Sequence, residues 1–180
     1  DGSTWAQVGG GLGTAGASIV FTLGFNGSDL YAGGSFTQAG SVAASNIARW
    51  DGMNWNDVGG GLTGGGANSL AALNGSVCVA GTFKKAGALG ATNFAVWNGS
   101  TWSAPNGSIS GYGYRVLGNG TNVYVGGNFL LAGNRIVNGI TSWDGVNWNF
   151  IGASGHLNGV YAVPLALAGD GTNLYAAGSS

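Results

Sequence analysis

The stretch Trp50-Asp51-Gly52-Met53-Asn54-Trp55 recurs as Trp97-Asn98-Gly99-Ser100-Thr101-Trp102 and again as Trp143-Asp144-Gly145-Val146-Asn147-Trp148. Its tail opens the chain as Asp1-Gly2-Ser3-Thr4-Trp5. The second tryptophans, Trp5, Trp55, Trp102 and Trp148, lie 50, 47 and 46 residues apart. A period of that length marks an architecture in which one supersecondary unit recurs. Between the paired tryptophans sit four residues with Asp-Gly or Asn-Gly at their start. These dipeptides tolerate positive φ and suit tight hairpin turns. Each hexapeptide therefore predicts a hairpin that holds two indoles opposite each other. Cross-strand aromatic pairs contribute about 0.5–1 kcal/mol beyond their area, and burial of each indole about 2–3 kcal/mol more.

Working outward, the second unit shows the whole pattern. An apolar run, Ala67–Leu73, is strand a, and Asn74-Gly75-Ser76 is a turn. Val77–Phe83 is strand b, Asn93–Trp97 strand c, and Thr101–Ala104 strand d. Strand b recurs as Leu30-Tyr31-Ala32-Gly33-Gly34-Ser35-Phe36, as Val123-Tyr124-Val125-Gly126-Gly127-Asn128-Phe129 and as Leu174-Tyr175-Ala176-Ala177-Gly178. Strand c recurs as Asn46–Trp50 and Gly139–Trp143. An Ala-Gly pair follows the Phe in three units: Ala39-Gly40, Ala86-Gly87 and Ala132-Gly133. The predicted unit is a four-stranded antiparallel meander of about 47 residues.

Composition agrees. The chain has 180 residues, 39 of them Gly without a three-residue period, which excludes collagen. Hydrophobic residues at 44% and seven Trp argue for a packed core rather than disorder. Gly, Asn, Ser and Thr dominate while Glu is absent, so helix is disfavoured; no helix of three turns is expected in residues 20–150. Charged residues make up only 6%, the net charge is −1, and Lys84-Lys85 is the sole adjacent basic pair. Nucleic acid is therefore not an expected partner. No apolar run reaches membrane-spanning length, so membrane insertion is not expected either.

Four-stranded meanders at this period are propeller blades. One blade has two apolar faces, and packing blades face to face around an axis buries both. The expected fold is all-β: a β-propeller built of four-stranded antiparallel blades, about four repeats of 46–50 residues. It is read as one domain, or a fragment of one, over 1–180, with repeats at 1–50, 51–97, 98–143 and an incomplete 144–180. The glycines in strand b fit the crowding near such an axis. The pattern starts at strand d and stops just after strand b, so the chain is read as part of a larger propeller. Thr4–Val8 would then lack its strand c, and further blades or neighbouring chains would supply the missing strands.

The unit resembles a kelch-like propeller repeat: a Gly-Gly pair closing strand b, an aromatic strand c, and a Trp in strand d. It is similar also to the Gly- and Trp-rich repeats of large secreted or surface bacterial proteins, which read LYxGGxFxxAGxxxxxNIAxWDGxxWxxVGxG. Residues 30–61 match that phrase nearly throughout, and residues 77–107 and 123–152 match it less fully. The resemblance implies an extracellular or cell-surface propeller and no single activity. Kelch-like propellers include galactose oxidase, whose copper site calls for His and Tyr ligands and a crosslinked Cys. One His and one Cys cannot build that site, nor a structural zinc site.

No catalytic constellation is readable. His156 stands alone in a Gly-rich loop. Of the six aspartates, Asp1, Asp51, Asp144 and Asp170 sit in Asp-Gly turns and Asp29 ends a turn, with Asp57 the sixth; turn chemistry accounts for the five. Calcium on these loops is a minor alternative, without EF-hand or RTX spacing. Cys78 falls in a strand pattern, as a buried small hydrophobe. The Asn-Gly-Ser/Thr sequons at Asn26, Asn74, Asn98, Asn106 and Asn119 read equally well as turns. No cofactor is expected.

The sequence thus points to a non-enzymatic extracellular module for scaffolding, adhesion or protein–protein interaction. The alternatives are a glycan-binding, lectin-like propeller and a supporting segment of a larger secreted enzyme. Partners would be protein or glycan, with self-association as a further expectation. Candidate ligand contacts are Trp50, Trp55, Trp97, Trp102, Trp143 and Trp148, because indole faces stack on sugars. Blade packing is the preferred role for these residues, and solvent exposure separates the two.

Overall fold

Strands form wherever the β-branched and aromatic runs lie, and the Asn-Gly, Asp-Gly and Gly-Ser turns return the chain antiparallel. A computed structural model describes residues 3–13, 18–152 and 163–179. The described residues are all-β, with one short 3-10 turn at Pro105–Gly107. Three sheets have four strands each, ordered a-b-c-d as in a meander. The first contains Ile19–Asn26, Asp29–Ser35, Ile47–Trp50 and Trp55–Asp57. The second contains Ala67–Leu73, Ser76–Gly81, Phe94–Trp97 and Trp102–Ser103. The third contains Tyr112–Gly118, Val123–Asn128, Ile140–Trp143 and Trp148–Asn149. A fourth unit is represented by the a–b hairpin of Val163–Gly169 and Leu174–Ser179.

These sheets are offset from the sequence repeats, because strand d of each sheet opens the next repeat: Trp55–Asp57 lies in 51–97 but closes the first sheet. Residues 3–11 carry no strand, and Trp5 is fully exposed. The expected strand at Thr4–Val8 is not formed.

Each strand a carries one bulge at the same register. Pairing slips between Val20 and Thr22, Ala67 and Ser69, Gly113 and Arg115, and Pro164 and Ala166. The bulge explains the glycine that ends strand b. A Cβ at Gly34, Gly81, Gly127 or Gly178 would collide with the carbonyl oxygen of Ile19, Gly66, Tyr112 or Val163 on the bulged strand. Close approach of two backbones, rather than general crowding, is what these glycines permit.

The sheets stack face to face in chain order. Tyr31 and Ile47 of the first pack with Leu70, Val79, Ala95 and Trp97 of the second. Cys78, Ala80 and Phe94 of the second pack with Val116, Val125, Trp143 and Trp148 of the third. The contact is a knob in a gap: a Cβ at Gly24 would lie 2.5 Å from Leu70 Cδ1, and one at Gly126 would lie 3.0 Å from Pro164 Cβ.

A second lock joins neighbouring sheets at their outer ends. The b–c connection of each sheet folds into a two-residue hairpin arm, Gln38–Ala39 with Val42–Ala43, Lys85–Ala86 with Leu89–Gly90, and Leu131–Ala132 with Arg135–Ile136. The linker arriving from the preceding unit adds to that arm. Leu62–Thr63 pairs with Lys85–Ala86, and Leu12 and Ile109 bridge to Ala39 and Ala132. The Ala-Gly dipeptide is the contact point: Gly40, Gly87 and Gly133 donate N–H to the carbonyls of Gly11, Gly61 and Ser108 at 2.7–2.8 Å. Phe83, expected at the end of strand b, lies beyond Gly81 at the root of this arm. Asn46, at φ 64°, accepts the Phe36 N–H and donates to the carbonyls of Leu62 and Gly65, which ties the first arm to the second unit's linker.

Candidate functional site

The tryptophans pair in the expected register: Trp50 with Trp55, Trp97 with Trp102, and Trp143 with Trp148. Ring centroids stand 5.5, 5.3 and 5.2 Å apart in tilted geometry. Trp55, Trp97, Trp143 and Trp148 are buried, and Trp50 and Trp102 are half-buried. The strand-d indoles also reach backward along the chain. Trp55 Nε1 donates to the Val8 carbonyl at 3.2 Å, Trp102 Nε1 to Val58 at 2.9 Å, and Trp148 Nε1 to Pro105 at 3.2 Å. Each acceptor lies just after the preceding unit's strand-d Trp. An indole that is largely buried and whose N–H is taken by the preceding unit's backbone has the surroundings of a packing element.

Beside two of the pairs the surface is notched at equivalent places. One hollow of about 170 Å³ is lined by Gly40, Ser41, Trp50, Asn54 and Trp55. Another of about 240 Å³ is lined by Asn106, Asn134, Arg135, Asn147 and Trp148. Asn54 and Asn147, each just before a strand-d Trp, border the notches at equivalent places.

A larger feature, which the sequence reading does not contain, lies where the bulges converge. A bulge leaves one residue of strand a unpaired and re-aims its side chain. The four residues so placed are Phe21, Asn68, Tyr114 and Leu165. All four line a single hollow of about 540 Å³, together with Thr82 and Arg115. The polar groups around it are held in place. Asn68 Nδ2 donates to the Gly113 carbonyl at 2.9 Å, Arg115 Nη1 to the Tyr114 carbonyl at 2.8 Å, and Thr82 Oγ1 accepts the Gly66 N–H at 3.1 Å. Ser69 on the second strand a exchanges hydrogen bonds with Val116 on the third, which fixes the spacing of two lining strands. The one signal available in the sequence is negative: strand a is the least alike of the four strands among units that are otherwise near copies.

The aspartates are engaged in turns. Asp51 Oδ1 accepts the Met53 and Asn54 N–H groups, and Oδ2 accepts from the Asn56 amide. The Asn54 and Met53 backbone donors, then Asn56, hold its carboxyl down at about 2. Asp144 is lowered in the same way by the Asn147 N–H, the Asn149 amide and the Val146 N–H. Asp170 is lowered most strongly, first by the Asn173 N–H, then by its side chain and the Thr172 N–H. Asp29 pairs with Arg49 at 3.2 Å, and Asp57 accepts the Gly60 N–H. Cys78 is fully buried, and burial pushes its thiol up to about 12. Among the described residues no three His, Cys, Asp or Glu gather as metal ligands would. His156 and Asp1 lie outside the described residues.

No helix of the described residues is long and apolar enough to cross a membrane. No protein-family model, curated protein or solved structure matches the chain.

Proposed function

We propose that the chain is a non-catalytic, extracellular or cell-surface binding module of the propeller type, and that its partner is a protein segment seated over the hollow ringed by the four strands a. One observation carries this reading. The Trp pairs, the strand-b glycines and the Ala-Gly dipeptides recur from unit to unit, whereas strand a varies, with Phe21, Asn68, Tyr114 and Leu165 in turn at the bulge position that lines the hollow. Strand a as a whole varies on this shared frame, so each unit brings a different side chain to the hollow. That arrangement suits a recognition surface, because each lining position meets a different part of one partner. Phe, Tyr and Arg together around a concave surface are also the residues that dominate protein-interface hot spots. Face-to-face sheets in chain order, a 46–50 residue period and four strands a sharing one hollow support the propeller reading and its kelch-like resemblance. The likeness of residues 30–61 to the Gly- and Trp-rich repeats of secreted or surface proteins supports a place outside the cell.

Panning a phage-displayed random peptide library on the immobilised chain tests it. Selected peptides should lose at least tenfold in affinity on Tyr114→Ala and on Arg115→Ala, both folded by circular dichroism. Peptides indifferent to both changes would defeat the assignment. The repeated notches beside Trp50/Trp55 and Trp148 favour a second reading, glycan binding. That reading expects oligosaccharide capture on an array that Asn54→Ala and Asn147→Ala reduce together.

A further inference from the structure

Six residues line the hollow, and one of them, Arg115, is charged. It stands just after the bulge of the third strand a, opposite Gly126. At the same register the other units carry Thr22, Ser69 and Ala166, opposite Gly33, Ala80 and Ala177. A small side chain therefore meets the needs of the sheet at this place, and the long cation of the third unit has no counterpart in the shared framework. It is one of only five Lys and Arg in the chain. Its surroundings are internal to the series. Asn68 and Thr82 belong to the second unit, whose sheet packs against the first and the third. Tyr114 and Arg115 belong to the third, which packs also against the last hairpin, where Gly126 faces Pro164.

The carboxylates among the described residues are engaged elsewhere. Asp51, Asp144 and Asp170 close their own turns, Asp57 accepts the Gly60 N–H, and Asp29 pairs with Arg49. Arg115 meets no carboxylate among the described residues, and its one hydrogen bond there runs from Nη1 to the Tyr114 carbonyl. A guanidinium has five N–H donors and no acceptor, so most of its donors remain for a ligand. The hydroxyl hydrogens of Tyr114 and Thr82 are likewise given to no other described residue. The hollow thus offers a full positive charge and several donors close together. A carboxylate, which only accepts and whose two oxygens match the guanidinium fork, is their complement. We propose that the segment seated over the hollow is acidic: an Asp or Glu side chain of the partner protein sets its carboxylate on Arg115, beside the Tyr114 and Thr82 hydroxyls. This rests on the reading of the hollow as a protein-binding surface and names the chemistry of what it binds. With a net charge of −1, the chain as a whole exerts no long-range pull on an acidic segment, so the preference comes from this contact.

Peptides selected on the parent chain test this separately from the hollow itself. They should share an Asp or Glu at one position. Changing that residue to Asn or Gln should weaken binding to the parent about tenfold, and binding to Arg115→Gln by less than about twofold. Arg115→Gln keeps a polar side chain and removes the charge at an already exposed site, and circular dichroism checks that it is folded. Peptides that weaken on Tyr114→Ala but share no carboxylate would overturn the acidic partner and leave the hollow as a binding surface. The same holds if the Asn or Gln form loses as much on Arg115→Gln as on the parent. Peptides indifferent to both Tyr114→Ala and Arg115→Ala would remove the hollow as a site, and this inference with it. Retention of an acidic polysaccharide that Arg115→Gln abolishes, with no acidic peptide selected, would overturn the proposal in favour of a sugar carboxylate.

Discussion

Gly81 owes its identity to a neighbouring carbonyl. The bulge between Ala67 and Ser69 brings the Gly66 oxygen onto the spot a Cβ would occupy. Gly81→Ala should therefore destabilise by about 1–3 kcal/mol, the usual cost of forcing atoms into a filled site. Gly90→Ala is the control, with open space around the added methyl, and should stay within about 0.5 kcal/mol. Urea melts of the two variants check this. The turn aspartates make a prediction of the opposite kind, in pH. Asp51 is lowered from 3.8 to about 2, and Asp144 and Asp170 shift the same way. A depressed carboxyl contributes stability that is fully present above its unfolded value and is lost as pH falls through the folded one. The melting temperature should be level from neutral pH down to about 4 and then fall towards pH 2. Asp51→Asn should flatten part of that fall and remain folded at neutral pH. Asn98 makes the same bonds to the Ser100 and Thr101 N–H groups in the second sheet. A melting temperature that rises on acidification would contradict the assignment.

At the scale of the element, the strand-d tryptophan joins one sheet to the next. Trp148 packs edge-on against Phe94 of the second sheet, with centroids 4.8 Å apart, and donates to the Pro105 carbonyl that follows that sheet. Trp148→Ala should cost about 3–5 kcal/mol in a denaturant melt; a loss below about 1 kcal/mol would contradict its burial. Much of this level is legible in the sequence. Ala67–Leu73 is a strand as read, because alternating small and apolar residues end at an Asn-Gly turn. The Trp pairs fall in register because a four-residue loop leaves them no other partner. The hairpin arms are not legible, since two-residue strands such as Lys85–Ala86 leave no periodicity. Their Ala-Gly dipeptide is visible, but its partner, the Gly61 carbonyl, is set only by the docking of one unit on another. The bulges are hidden for a similar reason. Nothing local in Ala67-Asn68-Ser69 marks an extra residue, and the slip appears only against Ala80 and Gly81 on the facing strand. The hollow lined by Phe21, Asn68, Tyr114 and Leu165 depends on those slips, so it too is absent from a reading of the sequence.

Across the whole molecule, the same sheet recurs, and its most enclosed element is strand b, hydrogen-bonded to strand a on one side and strand c on the other. Tyr31–Gly34, Cys78–Gly81 and Tyr124–Gly127 hold that position in the three complete sheets. Their flanks differ: exposed Leu23 and Phe25 lie on the first sheet, whereas the second is packed against a neighbouring sheet on both faces. Local stability should follow that coverage, with the second sheet opening least and the last hairpin, Val163–Gly169 with Leu174–Ser179, opening most. Everything proposed for the hollow rests on this repeated framework, because only sheets stacked in chain order bring four bulges to one place. Amide hydrogen exchange resolved along the chain tests it most directly. Protection should peak three times, over residues 31–34, 78–81 and 124–127, in step with the sequence period and highest in the middle peak. A single protected block, or maxima out of step with strand b, would contradict the repeated sheet and the hollow built on it.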